Sequence, residues 1–131
     1  MLKKEFVPHE EALALKELGF DEPCLKFYAA GILALAPDAE NGDTNSKLNG
    51  YNPLYVSAPT FSQAFRFFRE KYNKLSPIDH ATGGWYFVIR EIGGSTDPML
   101  KAVCGSGFQS YEEAELACLR QLIEIVQGDT K

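Results

Sequence analysis

The most regular spacing of hydrophobic and polar positions lies between residues 59 and 75 (PTFSQAFRFFREKYNKL). Its apolar side chains recur at helical intervals, at Phe61, Ala64, Phe65, Phe68, Tyr72 and Leu75. A rotation of about 100° per residue places them in a single stripe. Thr60 and Gln63 match the T-x-x-Q pattern of a helix start, in which hydroxyl and amide satisfy backbone N–H groups. The pattern therefore predicts a core helix over residues 59–75.

The two ends of the chain predict two further helices. Residues 8–18 begin with a proline and two glutamates, which favour a first turn, and Gly19 follows as a natural end. Residues 111–127 follow a capping box formed by Ser110 and Glu113 and carry a broad stripe of leucine and isoleucine. A glycine follows them and is expected to end the helix.

A first pair of strand-like segments lies at residues 24–28 (CLKFY) and 32–36 (ILALA), around an Ala-Ala-Gly turn. The alanines also allow one continuous helix over residues 25–35. Gly31 in the middle and the aromatic residues at the start favour a hairpin.

A second pair is predicted near the C-terminal helix. Residues 84–92 (GWYFVIREI) carry bulky side chains on both faces, which suggests a strand that is at least partly covered on each side. Residues 99–104 (MLKAVC) are expected to return antiparallel to it across a turn cluster at 93–98.

Residues 37–53 are the one long segment in which no periodic pattern appears, and they contain two Asn-Gly pairs that favour turns. We expect an irregular loop there, followed by a short extended piece over residues 54–57. The order of elements is α, then β-β-α, then β-β-α. This order predicts an α+β domain with a mostly antiparallel sheet. Helices on both faces of that sheet would make a three-layer α/β/α sandwich.

Composition narrows the class of protein. A chain of 131 residues with 45% apolar and 24% charged residues is expected to form one globular domain over residues 1–131. The formal net charge of −5 disfavours a main role in nucleic-acid binding, because phosphate contacts need a basic surface. No window of about 18 apolar residues occurs and no apolar run follows the N-terminal lysines, so neither a membrane span nor a signal peptide is predicted.

The reactive side chains are few. Cys24, Cys104 and Cys118 are odd in number and form no C-x-x-C pair, so buried free thiols in a reducing cytoplasm are expected. His9 and His80 are the two histidines and are expected at the surface or as helix caps. A Cys24–His80 pair could serve an enzyme, although no spacing favours it.

The glycine-rich stretches at 83–84 and 105–107 lack the frames of phosphate-binding loops and are predicted to be turns. The sequence therefore predicts no catalytic residue, no metal site and no cofactor. We expect a protein that is not an enzyme.

The polar side of the predicted 59–75 helix and its end carry the candidate binding residues, which are Arg66, Phe67, Arg69, Asn73 and Lys74. Together with Lys71 they form a basic cluster with interleaved aromatic rings, which could contact phosphates or an acidic partner. The alternative is a solvated face balanced by Glu70 and by the acidic terminal helices. Phe67 lies off the apolar stripe, so it either flanks the core or sits in an interface.

Three phrases carry a resemblance to a known family: residues 15–24 (LKELGFDEPC), residues 57–72 (SAPT running into QAFRFFREKY) and residues 111–119 (YEEAELACL). They resemble small uncharacterised proteins encoded by prophages and other mobile elements of gut bacteria, akin to the phage ABA-sandwich domains. The resemblance implies a three-layer α/β/α sandwich and a phage-related origin. It implies no activity and no catalytic residues.

Two functions are thus expected from the sequence. The first is a non-enzymatic phage or mobile-element accessory protein that binds another protein. The alternative is a nucleic-acid-binding accessory protein that uses Arg66, Arg69 and Lys74.

Overall fold

The structure, a computed structural model, describes residues 5–38, 40–92 and 103–129. The chain divides into two compact units, unit 1 (Met1–Ala64) and unit 2 (Phe65–Lys131). The described elements are α1 (His9–Glu17), β1 (Lys26–Ala29), β2 (Ile32–Leu35), α2 (Asn45–Tyr51), β3 (Val56–Ala58), α3 (Phe61–Tyr72), β4 (Lys74–Leu75), β5 (Ile78–Ala81), β6 (Gly84–Glu91), β7 (Val103–Phe108) and α4 (Tyr111–Asp129).

The described part of the chain is a mixed α+β structure with four helices and two sheets, in which every strand pair is antiparallel. This confirms the predicted α+β class. The division into units falls within α3, whose side chains Phe61, Phe65 and Phe68 are buried as predicted. The single domain over residues 1–131 stays a prediction.

Unit 1 contains a three-stranded sheet in the order β2-β1-β3. β1 and β2 form the predicted hairpin, in which Ala29 pairs with Ile32. The two residues between them have positive φ, 54° at Ala30 and 79° at Gly31. Positive φ at both turn residues matches the right-handed twist of a hairpin, so the alternative of one continuous helix is wrong.

α1 ends as predicted, with Gly19 following it in a Schellman arrangement. Gly19 has a φ of 95°, its N–H donates to the Lys16 carbonyl at 3.0 Å, and the Phe20 N–H donates to the Leu15 carbonyl at 2.9 Å. Phe20 folds back into the core and is 1% exposed. α1 then packs against β3.

The expectation of an irregular loop over residues 37–53 is wrong, because the segment contains α2. The Thr44 hydroxyl accepts from the Lys47 N–H at 3.1 Å, and Asp21 accepts from the Ser46 N–H at 2.8 Å, so two side chains cap this helix. Leu48 is fully buried. Only one apolar side chain faces inward in a seven-residue helix, so no hydrophobic periodicity could reveal it.

Unit 2 is organised around β6, which pairs with β7 along one edge and with β4 and β5 along the other. Lys74 lies opposite Glu91 and Ile78 opposite Phe87, so β4 and β5 follow one continuous register. Pro77 separates them: its carbonyl accepts from Val88, but without an N–H it returns no hydrogen bond. β5 includes His80, which is exposed.

The predicted turn at residues 105–107 is also wrong, because β7 runs through it. Gly105 lies directly against the Phe87 ring, where a side chain would overlap. Gly107 has a φ of 80° at an irregularity where β7 carries one residue more than β6, as in a β-bulge. The predicted turn at 93–98, and the part of the predicted strand before residue 103, lie outside the described residues.

α4 begins at the predicted capping box and packs against β5, β6 and β7. The Glu113 N–H donates to the Ser110 hydroxyl at 3.1 Å, and the Glu113 carboxylate accepts from the Gln109 N–H at 3.0 Å. The helix continues through Gly128 to Asp129, so the predicted stop at the glycine is wrong. Glycine adopts helical φ as well as positive φ, so its presence alone does not end a helix.

Candidate functional site

The predicted basic face is present only in part. Arg66 and Arg69 are exposed on α3, and the Arg66 Nε lies 3.9 Å from the Glu70 carboxylate one turn further on. An exposed i, i+4 pair of this kind contributes little to stability, which is typical of a solvated helix face.

Asn73 and Lys74 are not on that face, because α3 ends at Tyr72. Asn73 has a φ of 56°, which asparagine tolerates better than most residues, and its carbonyl accepts from the Ile92 N–H at 2.7 Å. Lys74 then belongs to β4, opposite Glu91 of β6. The same break removes Leu75 from the helical stripe that the sequence predicted.

Phe67 is buried at 6% exposure, so it flanks the core and does not offer its ring to a partner. Its ring meets those of Phe68 and Tyr72 edge to face, with centroids 5.4 and 5.7 Å apart. The Lys71 ammonium lies 5.5 Å from the Phe67 centroid and 5.4 Å from that of Tyr72. This lysine therefore makes cation–π contacts within unit 2.

The cysteines differ in burial. Cys24 and Cys118 are buried as expected, and burial raises the pKa of each thiol to about 12, so both are protonated at neutral pH. A protonated thiol is a poor nucleophile. Cys104 is exposed, contrary to the expectation, because its side chain lies on the open side of β7 next to the tightly packed Gly105.

The proposed Cys24–His80 pair divides between the units. Cys24 belongs to unit 1, where its sulfur lies 3.5 Å from the Glu22 carbonyl. His80 belongs to unit 2, where it is exposed on β5 with its ring 5.0 Å from that of Trp85. Within the described residues, no group of three or more His, Cys, Asp or Glu side chains could hold a metal ion.

Unit 1 contains a feature that the sequence did not reveal, an apolar groove of about 540 Å³. Its lining includes Leu13 and Lys16 of α1, Ala30 of the hairpin turn, and Pro53, Leu54 and Val56. Leu13 is 40% exposed and Leu54 is 78% exposed. Two large apolar side chains therefore border one concave surface, which distinguishes the apolar groove from a scattered exposed leucine.

The wall of the apolar groove that contains Leu54 is held by polar contacts. The Lys16 ammonium donates to the carbonyls of Pro53 and Tyr55 at 2.9 and 3.0 Å. The Asn52 side chain accepts from the Leu54 N–H at 2.9 Å, as in an Asx turn. These bonds hold the segment after α2 against α1, so the Leu54 side chain remains exposed on the surface.

The one signal in the sequence for this wall is Asn52-Pro53, a turn-forming pair directly before an apolar residue. It could have placed Leu54 at a turn. It could not have shown that α1 and the hairpin turn lie beside it.

A buried polar cluster supports the same unit. The Asn45 side chain donates to the Phe20 carbonyl at 2.8 Å and accepts from the Ser57 N–H at 2.8 Å. The Ser57 hydroxyl donates to the Asp43 carbonyl at 3.3 Å. These bonds connect α1's end, α2 and β3.

In comparisons with known proteins, no family model, no curated protein and no solved structure matches this chain. Among the described helices, none combines the length and the apolar character needed to cross a lipid bilayer.

Proposed function

We propose that this chain is a non-enzymatic accessory protein of a phage or mobile element, which acts in the bacterial cytoplasm by binding another protein through the apolar groove. The observation that carries the proposal is the exposure of Leu54 and Leu13, which both line that groove. Exposed apolar side chains that cluster around a concavity are typical of surfaces that a partner covers. The three-layer α/β/α arrangement and the phage origin belong to the same proposal and rest on the three sequence phrases.

The lining indicates the chemistry of the partner. Leucine, valine, proline and alanine side chains border most of the surface, and the Lys16 ammonium is already engaged by two carbonyls. The partner is therefore a protein segment that inserts apolar side chains. Burying them beside Leu54 and Leu13 would supply the binding free energy, as at the centre of other protein interfaces.

The proposal is tested with the full chain as bait for proteins of its bacterial host. Leu54→Asp places a charge on the rim of the apolar groove, and Leu75→Asp makes the same change at a partly exposed position of unit 2. We expect a protein that is captured by the wild type and by Leu75→Asp and is lost with Leu54→Asp. Identical sets of captured proteins with all three baits would overturn the proposal.

Nucleic-acid binding through α3 is the second candidate, and one observation favours it: Arg66 and Arg69 are both exposed within one turn. Lys74 contributes from β4 and not from the helix. This candidate predicts a gel shift that weakens steeply with salt and is lost when both arginines become alanine. A shift that ignores salt, or no shift at all, would exclude it.

A further inference from the structure

We infer that two copies of this chain associate through β2, pairing antiparallel across a two-fold axis to join their unit 1 sheets. In the described part of the chain β2 is an edge strand, in the order β2-β1-β3, and consists of Ile32, Leu33, Ala34 and Leu35. It contains no charged residue, no proline and no bulge, which are the devices that usually protect a sheet edge from pairing with another chain. The inference concerns a different surface from the apolar groove and goes beyond the proposed function.

The hydrogen-bonding pattern shows which backbone groups face outward. The Ala36 N–H donates to the Leu25 carbonyl at 2.8 Å, in the same register that pairs Ala34 with Phe27. In an antiparallel ladder alternate residues bond to the same neighbour, so the even-numbered residues of β2 bond to β1. The N–H and C=O groups of Leu33 and Leu35 therefore point away from β1 and offer donors and acceptors to another strand.

Symmetry then selects one register. A two-fold axis perpendicular to the sheet preserves its faces, so residues that lie opposite each other must share a face. Placing the axis at Ala34 brings Leu33 of one copy opposite Leu35 of the other, and both can exchange hydrogen bonds. Placing it at Leu33 would put Leu35 opposite Gly31, which has no side chain to cover it. Placing it at Leu35 would put Leu33 opposite Pro37, which has no N–H to donate. The first register is therefore favoured.

The side chains support a second copy as the occupant. Leu35 is 63% exposed, Ile32 is 70% exposed and Leu25 is 53% exposed in the single chain. In the favoured register Leu35 packs on Leu33 of the other copy. Ile32 of one copy lies opposite the small Ala36 of the other copy. Leu25 of that other copy lies on the far side of Ala36, in the same row. A single symmetric contact thus covers Leu35 and Ile32 in both copies and brings Ile32 into the same row as Leu25.

Four residues a side make a small interface, so the dimer should be weak and concentration-dependent. We expect sedimentation of the full chain to show a reversible monomer–dimer equilibrium.

Leu35→Asp should weaken dimerisation by about tenfold or more, because it leaves a carboxylate against Leu33 of the other copy. Leu54→Asp, an equivalent change on the apolar groove, should leave dimerisation unchanged. Because both side chains are exposed, circular dichroism should show both variants folded.

Cross-linking tests the register separately. In this register Ala34 of one copy lies opposite Ala34 of the other, and the two residues exchange no hydrogen bonds. Their Cα atoms are then about 4.5 Å apart, a distance that a disulfide can bridge. In a Cys104→Ser background, Ala34→Cys should form a covalent dimer rapidly on mild oxidation. Leu35→Cys, at about 8 Å from its copy, should do so much more slowly.

Three results would overturn the inference. They are a monomer at every accessible concentration, a dimer that Leu35→Asp does not weaken, and equal cross-linking at the two positions. A monomer whose groove still captures a partner would overturn the dimer and leave the proposed function standing. A dimer without any groove-dependent partner would overturn the proposed function and leave the dimer standing.

Discussion

Unit 1 and unit 2 distribute polar and apolar side chains in opposite ways. Of the described residues, the buried polar or charged ones are Glu11, Asp43, Asn45 and Ser57, and all lie in unit 1. Unit 1 also holds most of the large apolar residues that are exposed in the described ranges, namely Leu13, Leu25, Ile32, Leu35, Tyr51 and Leu54. Unit 2 instead buries only apolar residues among those that are described, and its described arginines and lysines lie at the surface or half-buried.

This difference between the units indicates which of them is better suited to contact other proteins. Burying polar groups costs free energy unless each is hydrogen-bonded, so the bonds of Asn45 and Ser57 offset part of that cost in unit 1. Its exposed apolar side chains gain nothing from folding and can gain only from association. Unit 2 buries aromatic rings together with aliphatic side chains of α4, and its described residues leave fewer large apolar side chains exposed.

The largest expected effect tests the aromatic packing of unit 2. Phe68→Ala removes a ring that is fully buried and should reduce the free energy of unfolding by about 3–5 kcal/mol. Arg69→Ala, the exposed neighbour, should change it by less than about 0.5 kcal/mol. Urea denaturation measures both, and a reversed order would mean that the faces of α3 are assigned wrongly.

An intermediate effect tests the polar cluster of unit 1. Asn45→Ala removes the two hydrogen bonds that the side chain makes to the Phe20 carbonyl and the Ser57 N–H. We expect a loss of about 1–3 kcal/mol in the free energy of unfolding. Asn49→Ala on the same helix is the control, because Asn49 is exposed. Equal midpoints for the two variants would show that unit 1 does not need this cluster.

The smallest effect concerns a carboxyl group on α4. Burial, and then the nearby Glu112, raise the pKa of Glu115 from 4.5 to about 7 in the folded protein. A raised carboxyl pKa means that the folded state binds the proton more tightly than the unfolded chain. The stabilisation of the folded state by the protonated Glu115 is therefore complete below pH 4.5 and is lost as the pH rises through about 7.

Glu115→Gln should remove this pH dependence and should raise the melting temperature at pH 8 more than at pH 5. The effect should be modest, because the side chain is half-exposed and water screens it. Glu124→Gln, an exposed change on the same helix, is the control. A Glu115→Gln variant with an unchanged pH profile would contradict the assignment.

The parts of the fold that the sequence predicted correctly depend on neighbouring residues. The capping box at Thr60 and Gln63 forms with bonds of 3.0 and 3.2 Å, and the Ala30-Gly31 turn closes its hairpin. Each of these features involves residues at most four positions apart. Such signals can be recognised in the sequence because they do not depend on contacts with distant parts of the chain.

The parts that were missed depend on residues far apart in the chain. α2 owes one of its caps to Asp21, and its place beside β3 is held by the bond between Asn45 and Ser57. β7 carries a glycine at position 105 because Phe87 of the paired strand occupies the space of a side chain. The apolar groove combines residues from α1, the hairpin turn and the segment after α2. No local pattern could reveal these juxtapositions.

The two glycines of β7 have a consequence for any attempt to diversify this strand. At Gly105 the obstacle is space, because the Phe87 ring stacks on Phe108 with centroids 5.8 Å apart and cannot readily move. At Gly107 space is open, and only the backbone angle disfavours other residues. A randomised library selected for folding should therefore recover asparagine as well as glycine at 107, and glycine alone at 105.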